Sequence, residues 1–147
     1  MATQRSIGLK RAYEEPAGSD GFRLLVDRLW PRGLKKQKAK LDGWLRELAP
    51  SDALRKWFHQ HRGEWLEFRR RYLRELRAPQ AGEALEQLYS YLAQQDRVTL
   101  LFAASDQEHN NAVVLKQLIE GMRKPPAGTT TRAARSLRQR QARRNQG

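Results

Sequence analysis

The stretch VTLLFAASDQE, residues 98–108, decides the fold. Residues 98–104 form a continuous, largely apolar run that begins with β-branched side chains, which predicts a strand covered on both faces. Ser105 follows at once, with Glu108 three residues later, in the pattern of a helix capping box. A buried strand that leads directly into a helix is typical of α/β proteins.

Two more strands are predicted nearer the N-terminus. Residues 6–12 alternate between apolar and polar side chains, and residues 22–28 have an apolar centre. The nine residues between them contain Pro16 and Gly18 and are fewer than the dozen or so that a parallel crossover usually needs. This pair of strands is therefore either antiparallel or joined by an abbreviated crossover.

Helical spacing of apolar residues fills most of the remaining chain. It predicts helices over residues 41–48, 51–58, 63–76 and 83–94, besides the helix that starts at Ser105. The first of these has apolar residues at i, i+3, i+4 and i+7, namely Leu41, Trp44, Leu45 and Leu48. We predict a single α/β domain over residues 1–122, with a small, mostly parallel sheet flanked by helices.

The composition excludes several classes of protein. The 147 residues include no cysteine, which excludes disulfides, thiolate metal sites and cysteine nucleophiles. No apolar run approaches the roughly 18 residues of a membrane span, and the N-terminus lacks the apolar core of a secretory signal. We expect a cytoplasmic protein without a membrane partner. The sequence predicts neither a cofactor nor an oligomeric state.

The positive charge is concentrated at the C-terminus. Residues 123–147 hold eight Lys or Arg and no acid, whereas the rest of the chain has twenty-one bases and sixteen acids. We expect these residues to form a flexible, Arg-rich tail. Such a tail either binds nucleic acid non-specifically, with steep salt dependence, or only solubilises the protein.

Polar residues follow the second strand and the strand at 98–104. Parallel strands end at the same edge of a sheet, where α/β proteins bind ligands, so we expect the two segments to face one crevice. They supply seven candidate site residues: Asp27, Arg28, Trp30, Arg32, Ser105, Asp106 and Asn110.

Each candidate has a chemical use and a plainer alternative. Arg28 and Arg32 carry planar donor forks that suit phosphate or carboxylate, and a helix starting at Ser105 would favour an anion through its backbone N–H groups. Asp27 and Asp106 are candidate general bases or metal ligands. The alternatives are that Asp27 and Arg28 pair with each other or with a neighbouring helix, and that Ser105 only caps its helix.

Three further residue types give weaker indications. Trp30 either contacts a ligand or fixes the turn and covers the core. Asn110 could orient a substrate. His59 and His61 stand two residues apart, so on a helix they point in different directions, and we predict no metal site there.

Five segments in order carry a resemblance to a known family. They are VDRLWPRG (26–33), WLRELAPS (44–51), LRKWFH (54–59), FRRRYLREL (68–76) and VTLLFAASDQEHNNAVVL (98–115). Together they resemble the small bacterial YeaO-like family, within the group called domain of unknown function 488. The resemblance implies a compact cytoplasmic α/β domain, with a pattern that ends before the Arg-rich tail. The hallmark positions that it implies are Asp27, Arg28, Pro31, Arg32 and Asn110.

These observations leave three functional hypotheses. The observations do not decide whether the protein is an enzyme. The first is a strand-end pocket that binds a small anionic or phosphorylated ligand. The second is a nucleic-acid-associated protein that binds through its basic tail. The third is a regulatory or scaffold module without a ligand.

Overall fold

The computed structural model describes residues 6–122 and contains one parallel sheet of four strands. The strands are β1 (Ser6–Arg11), β2 (Phe22–Leu25), β3 (Gly43–Trp44) and β4 (Arg97–Phe102), in the spatial order β1-β4-β2-β3. All three pairings are parallel. The prediction of an α/β fold with a small parallel sheet is confirmed.

Among the described residues, five helices accompany the sheet. They are α1 (Lys36–Ala39), α2 (Asp52–Gln60), α3 (Trp65–Glu75), α4 (Pro79–Gln94) and α5 (Asn111–Met122), with 3-10 turns at Gly18–Asp20 and Arg46–Leu48. Helices α2, α3 and α4 confirm the predictions over residues 51–58, 63–76 and 83–94. Within residues 6–122, no helix has the length and apolar character needed to cross a membrane.

The two central strands, β2 and β4, explain the continuous apolar runs of the sequence. Leu24 and Leu25 of β2, and Leu100 and Leu101 of β4, have no exposed surface. A central strand has neighbours on both sides and cover on both faces, so it cannot present an alternating polar face to water. The predicted runs therefore correspond to the middle of the sheet.

The short connection between β1 and β2 is an abbreviated crossover. Both strands run parallel to β4, which lies between them, so the antiparallel alternative is wrong. The connection reaches β2 through Gly21, whose φ is +67°. A Cβ atom at Gly21 would lie 2.4 Å from the carbonyl oxygen of Arg97, so only glycine allows this close approach.

The predicted helix over residues 41–48 is wrong. Residues Gly43–Trp44 instead form β3 against the open edge of β2, and the Leu45 N–H donates to the Leu25 carbonyl at 2.9 Å. A Cβ at Gly43 would lie only 2.8 Å from a methyl group of Leu24, so glycine lets this segment pack closely. The free edge of β2 gains hydrogen bonds here, which outweighs the helical spacing of four apolar residues.

The predicted helix start at Ser105 is also wrong, because α5 begins at Asn111. The Asp106 carboxylate accepts hydrogen bonds from the N–H groups of Glu108 and His109, at 2.9 and 3.0 Å, and so stabilises a turn. The side chain of Asn110 then accepts from the Val113 N–H at 3.0 Å, as an N-cap does. Asn110 takes the capping role that the pattern assigned to Ser105.

The chain divides into two compact units, Met1–Lys116 and Gln117–Gly147. The first contains the sheet and every site discussed below. Of the second, only residues 117–122 belong to the described part. The basic tail at 123–147 lies outside the described residues, and the boundary after residue 122 stays a prediction.

Replacing Gly21 with alanine tests the crossover. We expect Gly21→Ala to lower the free energy of unfolding by about 2 kcal/mol or more, because it combines a positive φ with a contact against backbone. Gly18→Ala is the matched control, since a Cβ there meets nothing within 4 Å. It should change stability by no more than about 0.5 kcal/mol in urea unfolding. Equal effects of the two substitutions would contradict this account of the crossover.

Candidate functional site

A crevice of about 490 Å³ lies at the carboxyl ends of β2 and β4. The segment after β2, the segment after β4 and part of α2 line it, so the two polar segments face one crevice as predicted. Six of the seven candidate residues line this crevice: Asp27, Arg28, Trp30, Arg32, Asp106 and Asn110. Ser105 is exposed and does not line it. That any of these residues binds a ligand stays a prediction.

Asp27 is the more deeply buried of the two crevice aspartates, and it joins β4 and α5 at what we call the inner end of the crevice. One carboxylate oxygen accepts from the Ala103 N–H at 2.9 Å, and the other accepts from the Asn111 side-chain amide at 3.1 Å. Burial raises the pKa of Asp27 above its usual value of 3.8, although the two hydrogen bonds and the charge of Arg55 oppose the shift. The carboxylate is therefore poorly hydrated and firmly oriented.

Arg28 is held by backbone carbonyls rather than by Asp27. Its guanidinium donates to the carbonyls of Ala49 and Pro50, both at 3.1 Å, and it lies 4.0 Å from a carboxylate oxygen of Glu47. The alternative of an Asp27–Arg28 pair is wrong. Arg28 mainly fixes the segment before α2 against the end of β2, while it still lines the crevice.

Trp30 both fixes its turn and lines the crevice. Its indole N–H donates to the Leu34 carbonyl at 2.6 Å, and its ring packs edge-on against Trp44 with centroids 5.6 Å apart. The neighbouring Pro31 is buried. The aromatic-proline segment therefore has the structural role that the sequence offered as an alternative, without closing the crevice.

Asp106 and Asn110 organise the loop before α5. Asp106 accepts from two backbone N–H groups and lies 3.1 Å from the ring nitrogen of His109. The N–H of Glu108 and the contact with His109 lower the pKa of Asp106 below 3.8, and slight burial opposes the shift. Asn110 is 3% exposed and uses its amide on the Asp106 carbonyl and on the N-cap bond. Both side chains are largely occupied by the loop itself.

Residues of α2 and the turn after it form a wall that the sequence analysis missed. Arg55, Phe58, His59 and Arg62 line the crevice. Arg55, Phe58 and His59, spaced i, i+3 and i+4, lie on one face of α2, and Arg62 follows in the turn after the helix. That spacing was visible in the sequence, but the inward-facing apolar residues of the same helix gave the stronger signal.

Positive charge predominates around the crevice. Four arginines line it against two aspartates: Arg28, Arg32, Arg55 and Arg62, with Asp27 and Asp106. Arg55 pairs with Asp52. Within residues 6–122, the guanidinium groups of Arg32 and Arg62 have neither an ion pair nor a hydrogen bond, and both side chains are exposed. The crevice therefore offers two unpaired cations to an incoming group.

The two histidines of residues 59–61 diverge as predicted. His59 lines the crevice, whereas His61 stacks on Trp57 with ring centroids 4.5 Å apart. In the part of the chain that the structure describes, no group of three or more His, Asp or Glu side chains is placed to hold a metal ion.

Comparison with known proteins identifies relatives along most of the chain. The model of the family described as "Inactive DUF488-N3 subclade" matches residues 6–135. The uncharacterised protein YeaO of Escherichia coli is 41% identical over 118 residues, covering 80% of this chain and 99% of its own. The uncharacterised protein Rv3073c of Mycobacterium tuberculosis is 34% identical over 121 residues, covering 82% and 99%. No solved structure matches.

The chain therefore belongs to the DUF488 family, in the subclade with that description, and the resemblance to YeaO-like proteins is confirmed. One implication of the resemblance is wrong. The family match reaches residue 135, so the family pattern does not end at residue 122 but continues into the basic segment.

The two crevice aspartates should titrate in a fixed order. We expect carboxyl ¹³C NMR to give a pKa above 3.8 for Asp27 and below 3.8 for Asp106. Asp27 then contributes stability below pH 3.8 that is lost as the pH rises through its folded pKa, because the folded protein disfavours its charged form. Asp106 contributes in the opposite sense, with stability lost as the pH falls. The reverse order of titration would contradict the described burial of Asp27.

Proposed function

We propose that this member of the DUF488 family binds a small anionic, phosphorylated ligand in the crevice at the carboxyl edge of its sheet. The observation that carries the proposal is a pair of arginines, Arg32 and Arg62, that have no ion pair or hydrogen bond to any described residue and lie at a crevice of small-molecule size. Guanidinium groups bind phosphate through two parallel hydrogen bonds, and they do so best where they need not first leave another partner.

The other residues support binding in different ways. Arg28, anchored on two carbonyls, adds a fixed positive charge without needing to move. Trp30 gives one wall of the crevice and has its own polar group satisfied. Asn110 and Asp106 hold the opposing loop in shape, and Ser105, outside the lining, has no direct part in the proposal.

Binding without chemistry is the form of the proposal that we favour. Asp27 is the better candidate for proton transfer, because burial raises its pKa, whereas hydrogen bonds hold the pKa of Asp106 low. The description of the subclade as inactive nevertheless favours a role in binding for Asp27. The proposal includes a cytoplasmic location.

Nucleic-acid binding through the tail is the second candidate. It is supported by the eight basic residues and the absence of acids in residues 123–147. Replacing Arg132, Arg135, Arg138 and Arg140 with glutamine in the full chain should then weaken binding to duplex DNA and flatten its salt dependence. The ligand-free scaffold hypothesis loses its main argument, because Trp30 does not plug the strand ends.

Substitution of the unpaired arginines tests the ligand-binding proposal. In calorimetric titration of the full chain with phosphomonoesters and nucleotides, at least one should bind, and Arg32→Ala should weaken it about tenfold or more. Arg77→Ala is the matched control, since Arg77 is exposed and outside the crevice lining. It should change the dissociation constant by less than about twofold. Binding by none of the compounds, or equal losses in both variants, would refute the proposal.

A further inference from the structure

The walls of the crevice carry more apolar surface than an inorganic anion would use. Three large apolar side chains are exposed among residues 6–122, and two of them, Tyr13 at 42% and Leu29 at 55%, line this crevice. Trp30 and the half-buried Phe58 add aromatic rings. Apolar surface that gathers around one crevice, beside cations, is typical of a site for an organic ligand with a flat body.

The inner end of the crevice offers hydrogen-bond acceptors. The Asn111 amide donates to both the Val26 carbonyl, at 2.9 Å, and the Asp27 carboxylate, at 3.1 Å. These two acceptors fix the orientation of the amide, because the flipped form would bring its oxygen against two other oxygens. Asn111 is among the residues that line the crevice, and its amide oxygen accepts no hydrogen bond from any described residue.

Asp27 adds further acceptor capacity at the same place. Each of its oxygens accepts one protein hydrogen bond and retains a second lone pair. Since both side chains line the crevice, a ligand group that reaches them must donate hydrogen bonds to satisfy them. The exposed cations and the less exposed acceptors line the same crevice, so they suit two different groups of one ligand.

We propose that the ligand is a phosphomonoester of a planar, amino-bearing nitrogen heterocycle, in chemical terms a nucleoside monophosphate. Its phosphate would meet Arg32 and Arg62, its ring would lie against Trp30 and Phe58, and its amino group would donate to the oxygens of Asp27 and Asn111. The volume of about 490 Å³ lies in the range of sites for small organic molecules, and inorganic phosphate alone would leave most of it unfilled. This inference rests on the proposed anion-binding function.

A series of three phosphomonoesters, from which first the amino group and then the whole base is removed, tests the inference on the unaltered full chain. The first probe is adenosine monophosphate. The second, purine riboside monophosphate, lacks only the amino group, and the third, ribose 5-phosphate, lacks the whole heterocyclic base. We expect adenosine monophosphate to bind about tenfold more tightly than purine riboside monophosphate, because the latter offers no donor to the Asn111 amide oxygen or to the remaining lone pairs of Asp27. Ribose 5-phosphate should bind more weakly still.

The outcomes separate the two proposals. If ribose 5-phosphate binds as tightly as adenosine monophosphate, the inference is overturned while the anion-binding function stands. The inference is overturned in the same way if phosphoethanolamine, which has an amine but no heterocyclic base, binds as tightly as adenosine monophosphate. If no phosphomonoester binds, both proposals fall.

A variant at Asp27 gives a second readout. Asp27→Asn replaces one acceptor oxygen with a donor, so the ratio between the affinities for adenosine monophosphate and purine riboside monophosphate should fall to within about twofold. Circular dichroism establishes that the variant is folded, and its retained binding of ribose 5-phosphate shows an intact anion site. An unchanged ratio in a folded variant would overturn the role given to Asp27.

Discussion

The carboxylate of Asp27 is the interaction on which the site depends. It accepts from the Ala103 N–H just beyond β4 and from Asn111 at the start of α5, while its backbone carbonyl accepts from the Trp44 indole N–H at 2.7 Å. One residue therefore joins the ends of β2 and β4, the edge strand β3 and the first turn of α5. Its burial disfavours the charge, and the donors around it offset only part of that cost.

This arrangement explains how one crevice combines fixed acceptors with available cations. The inner residues are tied to one another and to backbone, as the amide of Asn111 is to Val26 and Asp27. The outer arginines, Arg32 and Arg62, are exposed and unpaired within the described part of the chain. A preorganised binding site needs fixed side chains at its inner end and unpaired charges at its entrance. The protein then loses little conformational entropy when the ligand binds.

The sequence predicted those features that follow from patterns within one segment and from strand direction. Residues 22–28 and 98–104 showed the central strands through their apolar runs, and parallel pairing was enough to bring Asp27 and Asp106 to one crevice. The sequence could not show that the edge of β2 would draw residues 43–44 into a strand, because that competition depends on the packing of Gly43 against Leu24. It could not separate Ser105 from Asn110 as the helix cap either, since both lie in a plausible local pattern.

A different cause explains why the sequence did not predict the wall that α2 and the turn after it form. Arg55 on α2 and Arg62 in the turn after it look like ordinary solvated residues in the sequence, but the tertiary structure places both at the crevice beside β2 and β4. Arg28 shows the converse, because a residue that resembles an anion ligand in the sequence is largely occupied by the carbonyls of Ala49 and Pro50. The charge of a site can be counted from the sequence, but which charges are available depends on the backbone around them.

Mapping the bound ligand by NMR tests the central claim most directly. In ¹H–¹⁵N spectra of the full chain titrated with adenosine monophosphate, we expect saturable shifts in the segments 27–32 and 103–111, together with the side-chain signals of Arg32, Arg62 and Asn111. The shifts should be absent from the amides of β1. Shifts confined to other parts of the chain, or none at millimolar ligand, would contradict a nucleoside monophosphate site at the carboxyl edge of this sheet.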